Sequence, residues 1–167
     1  MVKKKLKLTD KQLDQKAKEL GLEKNKFNRW DTGDLCRELK LLEEYYKVLE
    51  DQIQVLPVLH EPVINSFLRL KKQKKTIAII SNSMLRTIKA YVNKYKLNKY
   101  VDFIYSRDDA GCKKNEEVYW KNLIKKQKLK IDECLVIGDD QKQDIVIPQK
   151  LGFKTFLIKN SADLNSL

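Results

Sequence analysis

Apolar residues recur every three or four positions through the first 75 residues, then change to short unbroken runs. The first regime predicts helices. Leu13, Ala17 and Leu20 fall on one face of a helix over residues 9–20, with Thr9 as its cap and Gly21 at its exit. Residues 22–33 are polar, with Phe27 and Trp30 as packing anchors. Leu35, Leu39, Leu42, Tyr46, Leu49 and Ile53 then form one stripe, which predicts a long helix from about Asp34 to Gln54, broken by Pro57. A third helix is expected from about Pro62 to Lys74, with Val63, Phe67 and Leu70 inward.

The second regime predicts strands. Thr76–Ile80 is a β-branched apolar run ending in Ser81-Asn82-Ser83. A helix should follow, with Leu85, Ile88, Val92 and Tyr95 on one face and Ser83 as its cap. Tyr100–Tyr105 reads as the next strand, and Asn115–Lys128 as a helix packed through Val118, Tyr119 or Trp120, and Leu123. Cys134–Ile137 suits a strand buried on both faces, and Cys134 itself a buried small residue. That run stops at Gly138, the acids Asp139, Asp140 and Asp144 follow, and a short helix closes at Gly152 before a last run, Thr155–Ile158. Pro148 should kink or shorten that helix. Strands alternating with helices of this length give an α/β fold with a parallel sheet.

The 167 residues allow one real core with a small appended lobe. No apolar stretch approaches the roughly 20 residues of a membrane span, and MVKKKLKL lacks the apolar core of a signal peptide, so a cytoplasmic protein is expected. Cys36, Cys112 and Cys134 have neither metal-ligand spacing nor a disulfide framework. The single histidine, His60, excludes a multi-histidine metal site or relay and reads as a loop or helix-start residue. The net charge of +12 comes from scattered lysine clusters. It fits a solvated surface first, and in second place an attraction for anions, whether phosphorylated small molecules or nucleic acid.

The candidate chemistry lies at strand ends, where ligands bind in open α/β sheets. Ser81 offers a hydroxyl beside the amides that open a helix, Lys113 or Lys114 can hold a phosphate as a point charge, and Asp139 with Asp144 can hold Mg²⁺ through hard oxygen ligands. Each has a plainer reading: a helix cap, surface lysines, a helix-start acid. Taken in order, the apolar strand ending in Ser81, the segment Gly111-Cys112-Lys113-Lys114-Asn115-Glu116-Glu117-Val118-Tyr119, and the strand followed by Gly138-Asp139 with Asp144 resemble the second, third and fourth motifs of the haloacid dehalogenase (HAD)-like hydrolases. The exit through Gly152-Phe153-Lys154-Thr155 is similar too.

The resemblance implies a Rossmann-like core at 61–167 with a helical, substrate-selecting cap lobe at 1–60. It implies a phosphate-ester hydrolase in which Ser81 and Asn82 bind the phosphoryl group. Lys113 or Lys114 would neutralise its charge, Asp139 would bind Mg²⁺, and Asp144 would position the metal or the lysine. The chain departs from the family at one place. An apolar strand ending in D-x-D, whose first Asp is the nucleophile, should open the fold, and no such strand is present. Val2–Asp10 is lysine-rich, with Gln12 two residues after Asp10, and Asp31 and Asp34 follow no apolar run. That strand belongs in the middle of the sheet, so its loss leaves two open central edges, for which a second chain or homodimer is a candidate; the nucleophile would come from that chain, from a segment outside this sequence or from a rearranged N-terminal Asp. The alternative is a catalytically inactive HAD-like protein that binds phosphate, a protein partner or nucleic acid.

Overall fold

The structure is a computed structural model that describes residues 2–24, 28–55 and 59–166, apart from the side chains of Lys3 and Lys4. The chain divides into two compact units, Met1–Leu56 and Pro57–Leu167. Phe27 and Pro57 lie outside the described residues.

The first unit is helical: α1 (Val2–Leu6), α2 (Asp10–Glu19), α3 (Thr32–Glu38) and α4 (Leu42–Gln54). Thr9 caps α2 as its sequence predicts, in a reciprocal box with Gln12. Val2, Ala17, Leu35, Cys36 and Leu41 form the buried core of this unit, and Trp30 packs against it. Leu20, at the end of α2, is exposed instead of inward. The single long helix expected from Asp34 to Gln54 is two helices. Lys40 takes a left-handed φ of 58°, which ends α3 and re-aims the chain, while the apolar stripe runs on across the break. Asp31 caps α3 by accepting the Asp34 N–H, and Asp34 is buried against Arg37.

The second unit is α/β. It contains α5 (Glu61–Lys72), β1 (Ala78–Ser81), α6 (Leu85–Lys94), β2 (Phe103–Ser106), α7 (Arg107–Ala110), α8 (Glu117–Gln127), β3 (Leu135–Gly138), a π-helical turn (Gln141–Val146), α9 (Ile147–Lys150) and β4 (Lys154–Leu157). His60 stands at the N-cap of α5. The strands make two separate two-stranded parallel sheets, β1 with β2 and β3 with β4. One apolar core serves both: Tyr105 of β2, Val136 of β3 and Phe153 gather around Tyr119, Trp120 and Leu123 of α8. Val118 of α8 points out, 53% exposed, because the helix turns Tyr119 and Trp120 inward. β3 is not buried on both faces: Val136 is buried, but Leu135 is 50% exposed, and Cys134 is half-buried.

Capping in this unit is non-local. Ser83 does not cap α6. Met84 holds that position, and the Asp108 carboxylate accepts the Leu85 N–H at 2.7 Å across the β2–α7 turn. One step on, buried Ser106 and Asp109 form a reciprocal cap for α7, and Lys126 of α8 bonds Asp109 at 2.8 Å. Burial pulls the Asp109 carboxyl up, but the Lys126 ammonium and the Ser106 hydroxyl and amide outweigh it and hold the group down to about 2. Because the folded value lies below the ordinary 3.8, the carboxylate stabilises the fold above pH 4 and loses that contribution as pH falls towards 2. Urea unfolding at stepped pH checks this: the protein should lose stability across pH 4 to 2, and Asp109→Asn should be less stable at neutral pH and flatter across that window.

Candidate functional site

The carboxyl ends of β1 and β3 are joined by side chains from three loops. Asn82, the first residue after β1, donates from Nδ2 to Gln143 Oε1 at 2.5 Å and accepts the Lys114 N–H on Oδ1 at 2.6 Å. Lys114 then sends its ammonium to Asp144 Oδ1 at 2.5 Å, and the pair is largely buried, with side-chain exposures of 15% and 6%. The Lys114 carbonyl accepts the Trp120 indole N–H at 3.0 Å, which ties the lysine loop to α8. Tyr119 adds a second tie: its hydroxyl lies 2.9 Å from the Tyr105 carbonyl and 3.4 Å from that of Ser81. Burial pushes the Tyr119 phenol well up, so it stays a neutral donor.

The acidic loop is shaped by Gly138 and by the π turn. A Cβ at Gly138 would fall on the Asp144 side chain, so only glycine lets that carboxylate fold back onto β3. Asp144 Oδ2 accepts the Asp140 N–H at 3.2 Å, and Asp140 Oδ1 caps the turn through the Lys142 and Gln143 amides at 3.0 and 2.9 Å. The wider π turn, closed by Ile147 N–H on the Lys142 carbonyl, puts Pro148 at the start of α9, where its missing N–H costs little. The expected shortening by Pro148 takes this form.

The structure therefore brings together Asn82, Lys114 and Asp144, with Ser81 next to Asn82 at the end of β1 and Asp139 exposed at the end of β3. Lys114 is the lysine whose ammonium meets Asp144; Lys113, half-buried, precedes it and closes a turn with Glu116. Of the two parts the resemblance gives Asp144, the contact it makes is with the lysine. The Ser81 hydroxyl accepts the Ser83 N–H at 3.1 Å and keeps its own proton to donate. Gln143 and the side chain of Asn82 had no signal in sequence, since their partners lie 61 residues apart. None of Asp10, Asp31 and Asp34 lies on a strand.

As folded, the donors do not fit a resident Mg²⁺ by themselves. Among the described residues no three carboxylate, imidazole or thiolate groups converge. Asp144 is engaged with Lys114 and Asp140 with the turn, so neither of these two offers an uncommitted carboxylate to Mg²⁺. No described helix is long and apolar enough to cross a membrane.

The close fit at Gly138 is testable. Gly138→Ala should displace Asp144 and strand the Lys114 ammonium in a largely buried place, costing about 2–4 kcal/mol in urea unfolding. A loss under about 0.5 kcal/mol, the size of an ordinary surface change, would contradict the packing.

No curated protein sequence matches the chain. Solved structures do match in fold. The HAD phosphatase from Thermococcus onnurineus superposes with a TM-score of 0.73 at 19% identity, covering 94% of this chain and 73% of that one. A hydrolase from Streptococcus pneumoniae superposes at 0.58 with 20% identity, covering 81% and 67%. The magnesium-bound YfnB protein of Bacillus subtilis superposes at 0.60 with 21% identity, covering 72% of this chain and 52% of that one, so this chain spans only about half of its length. A family model for haloacid dehalogenase-like hydrolases matches residues 2–158, and the chain belongs to that family.

Proposed function

We propose that the ends of β1 and β3 bind a phosphoryl group and that the protein, once supplied with a nucleophilic carboxylate, hydrolyses phosphate esters. The observation that carries this reading is the fixing of Lys114 at both ends. Its amide is held by Asn82, the residue after Ser81, and its ammonium by Asp144, so a braced cation stands at the ends of β1 and β3. A preorganised cation of this kind pays no reorganisation cost when negative charge builds on phosphoryl oxygens. Ser81 donates its free hydroxyl proton to one of those oxygens. The phosphatase named for the T. onnurineus relative supports phosphate esters as the substrate class. The helical unit, Met1–Leu56, takes the part of the substrate-selecting cap.

The covalent route needs a carboxylate facing the phosphorus, and Asp31 and Asp34 serve other ends: Asp31 caps α3 and Asp34 pairs with Arg37. Magnesium, which supplies charge neutralisation in this family, would find Asp139 here and need further oxygens from the phosphoryl group and from outside the chain.

Thermal unfolding with inorganic phosphate tests the binding step. Phosphate at millimolar concentration should raise the Tm, and Ser81→Ala should weaken the apparent affinity about tenfold to a hundredfold, the worth of one hydrogen bond to a charged group. Equal stabilisation of Ser81→Ala and the parent protein would count against the site. Phosphate stabilisation that fades steeply with salt and is indifferent to Ser81→Ala would be assigned to the basic surface instead.

A further inference from the structure

The fold gathers lysine clusters that are scattered along the sequence at one end of the α/β unit. The strands of each sheet run parallel, and the loops after β1 and β3 meet at the carboxyl ends. The loops that enter the strands therefore lie at the opposite end, about 10 Å or more away across four-residue strands. The two ends differ in charge. The segments leading into β1, β2 and β3, each with the last turn of its helix, span 71–77, 94–102 and 125–134. They hold eleven lysines against three acids. The segments leaving the same strands, 82–88, 107–120 and 139–146, hold five cations against seven acids.

Helix dipoles account for part of this contrast, since lysine is favoured in a last turn. Local ion pairs take up Lys71, Lys126 and Lys130. Neither accounts for Lys74, Lys75, Lys96, Lys99 and Lys128. These five lie beyond the ends of α5, α6 and α8, are exposed, and have no ion pair among the described residues. Three of them also stand where glycine is the ordinary choice. The helix before each strand ends in a left-handed residue: Lys74 at φ 56°, Lys96 at 53°, Lys128 at 50° and, before β4, Gly152 at 96°. Only the glycine escapes the steric cost that a Cβ brings there. A cation is thus kept at three positions against the local backbone preference.

We propose that this end of the α/β unit is a docking face for the phosphate backbone of duplex nucleic acid, bound without regard to base sequence. Three loops present lysines as point charges to a partner that carries one phosphate per roughly 1.7 Å of axis. The three segments contain no arginine to fork onto a guanine. Their larger apolar residues turn inward: Leu97 is buried, and Tyr95, Tyr100, Leu129 and Ile131 pack on the cores. That leaves no exposed ring in these segments for stacking on single-stranded bases, and no apolar wedge for a bilayer. The face lies at the other end of the strands from Lys114 and Asp144 and does not depend on the phosphoryl reading.

Fluorescence anisotropy of the full chain with a labelled, mixed-sequence DNA duplex of about 20 base pairs, at about 50 to 200 mM salt, tests the face. The five lysines predict that log Kd rises with log salt at a slope of about 4–5. Lys74→Gly/Lys96→Gly/Lys128→Gly relieves three strained positions, so its Tm should equal or exceed that of the parent. Its slope should fall by about 3, and its affinity at about 100 mM salt by about tenfold or more. Lys75→Gln/Lys99→Gln, which touches no strained position, should lower the slope by about 2. The same charge as in the glycine variant, removed near the carboxyl ends by Lys121→Gln/Lys142→Gln/Lys159→Gln, should change the affinity less than about threefold, because salt screens charges a strand's length away. The proposal is overturned if the duplex does not bind at about 50 mM salt, or if the variants at the two ends weaken binding alike. It is overturned as well if the single strand of the same sequence, or phosphatidylserine-rich vesicles, bind more tightly than the duplex. Ser81→Ala should leave duplex affinity unchanged, so this result and phosphate binding at the carboxyl ends are read separately.

Discussion

A lysine ammonium taken out of water must be paired, or it will not stay charged and buried. Lys114 is held by Asp144, and the pair lies where two sheets that share no ladder come together. Its worth is not simply Coulombic. Desolvation of both ions offsets much of the attraction, and the pair persists because each partner is fixed by other bonds. Asn82 fixes the Lys114 amide, Trp120 its carbonyl, and the Asp140 N–H the second oxygen of Asp144. Gly138 leaves room for that carboxylate, and the π turn brings it back over the strand. Removing one member would strand the rest, so the pair and the convergence of β1 with β3 stand or fall together.

What the sequence revealed follows from which interactions are local. Period and run length located the four strands to within a few residues, and the Thr9 box was visible because its partner is three residues away. The order Ser81, lysine, Asp139, Asp144 was legible because each residue closes its own strand or opens the next helix. The choice between Lys113 and Lys114 was not, since adjacent lysines differ only in which way the backbone turns, and that is set by Asn82 and Trp120 from elsewhere in the fold. Ser83 looked like a cap because serine next to a helix usually is one, and Asp108 took the bond from across the sheet. The break at Lys40 escaped because the apolar stripe continues through it, so burial is the same for one helix as for two. Val118 was read inward because valine is apolar, yet the aromatic pair beside it is larger and took the core.

The two halves of the sheet set the balance between likeness and difference. Family membership rests on a match through residues 2–158, while the solved relatives at 19–21% identity speak for the fold alone. Within that fold, the polar groups at the strand ends are assembled and braced, and the inner edges of the strands that carry them have no ladder between them. The N-terminal residues where a further strand could have been sought, Val2–Leu6, are helical, with Val2 in the core of the first unit. A braced, largely buried ion pair thus sits where the two parallel sheets meet without a ladder among the described residues.

A double-mutant cycle on Lys114→Met and Asp144→Leu measures the central pair directly. Urea unfolding of the parent, the two single variants and the double variant gives the coupling free of each residue's other contacts. A braced, buried pair should show a coupling of about 2 kcal/mol or more, with the double variant more stable than either single one. Additive losses, with coupling within about 0.5 kcal/mol of zero, would mean that the two side chains do not meet, and the convergence of the strand ends would go with them.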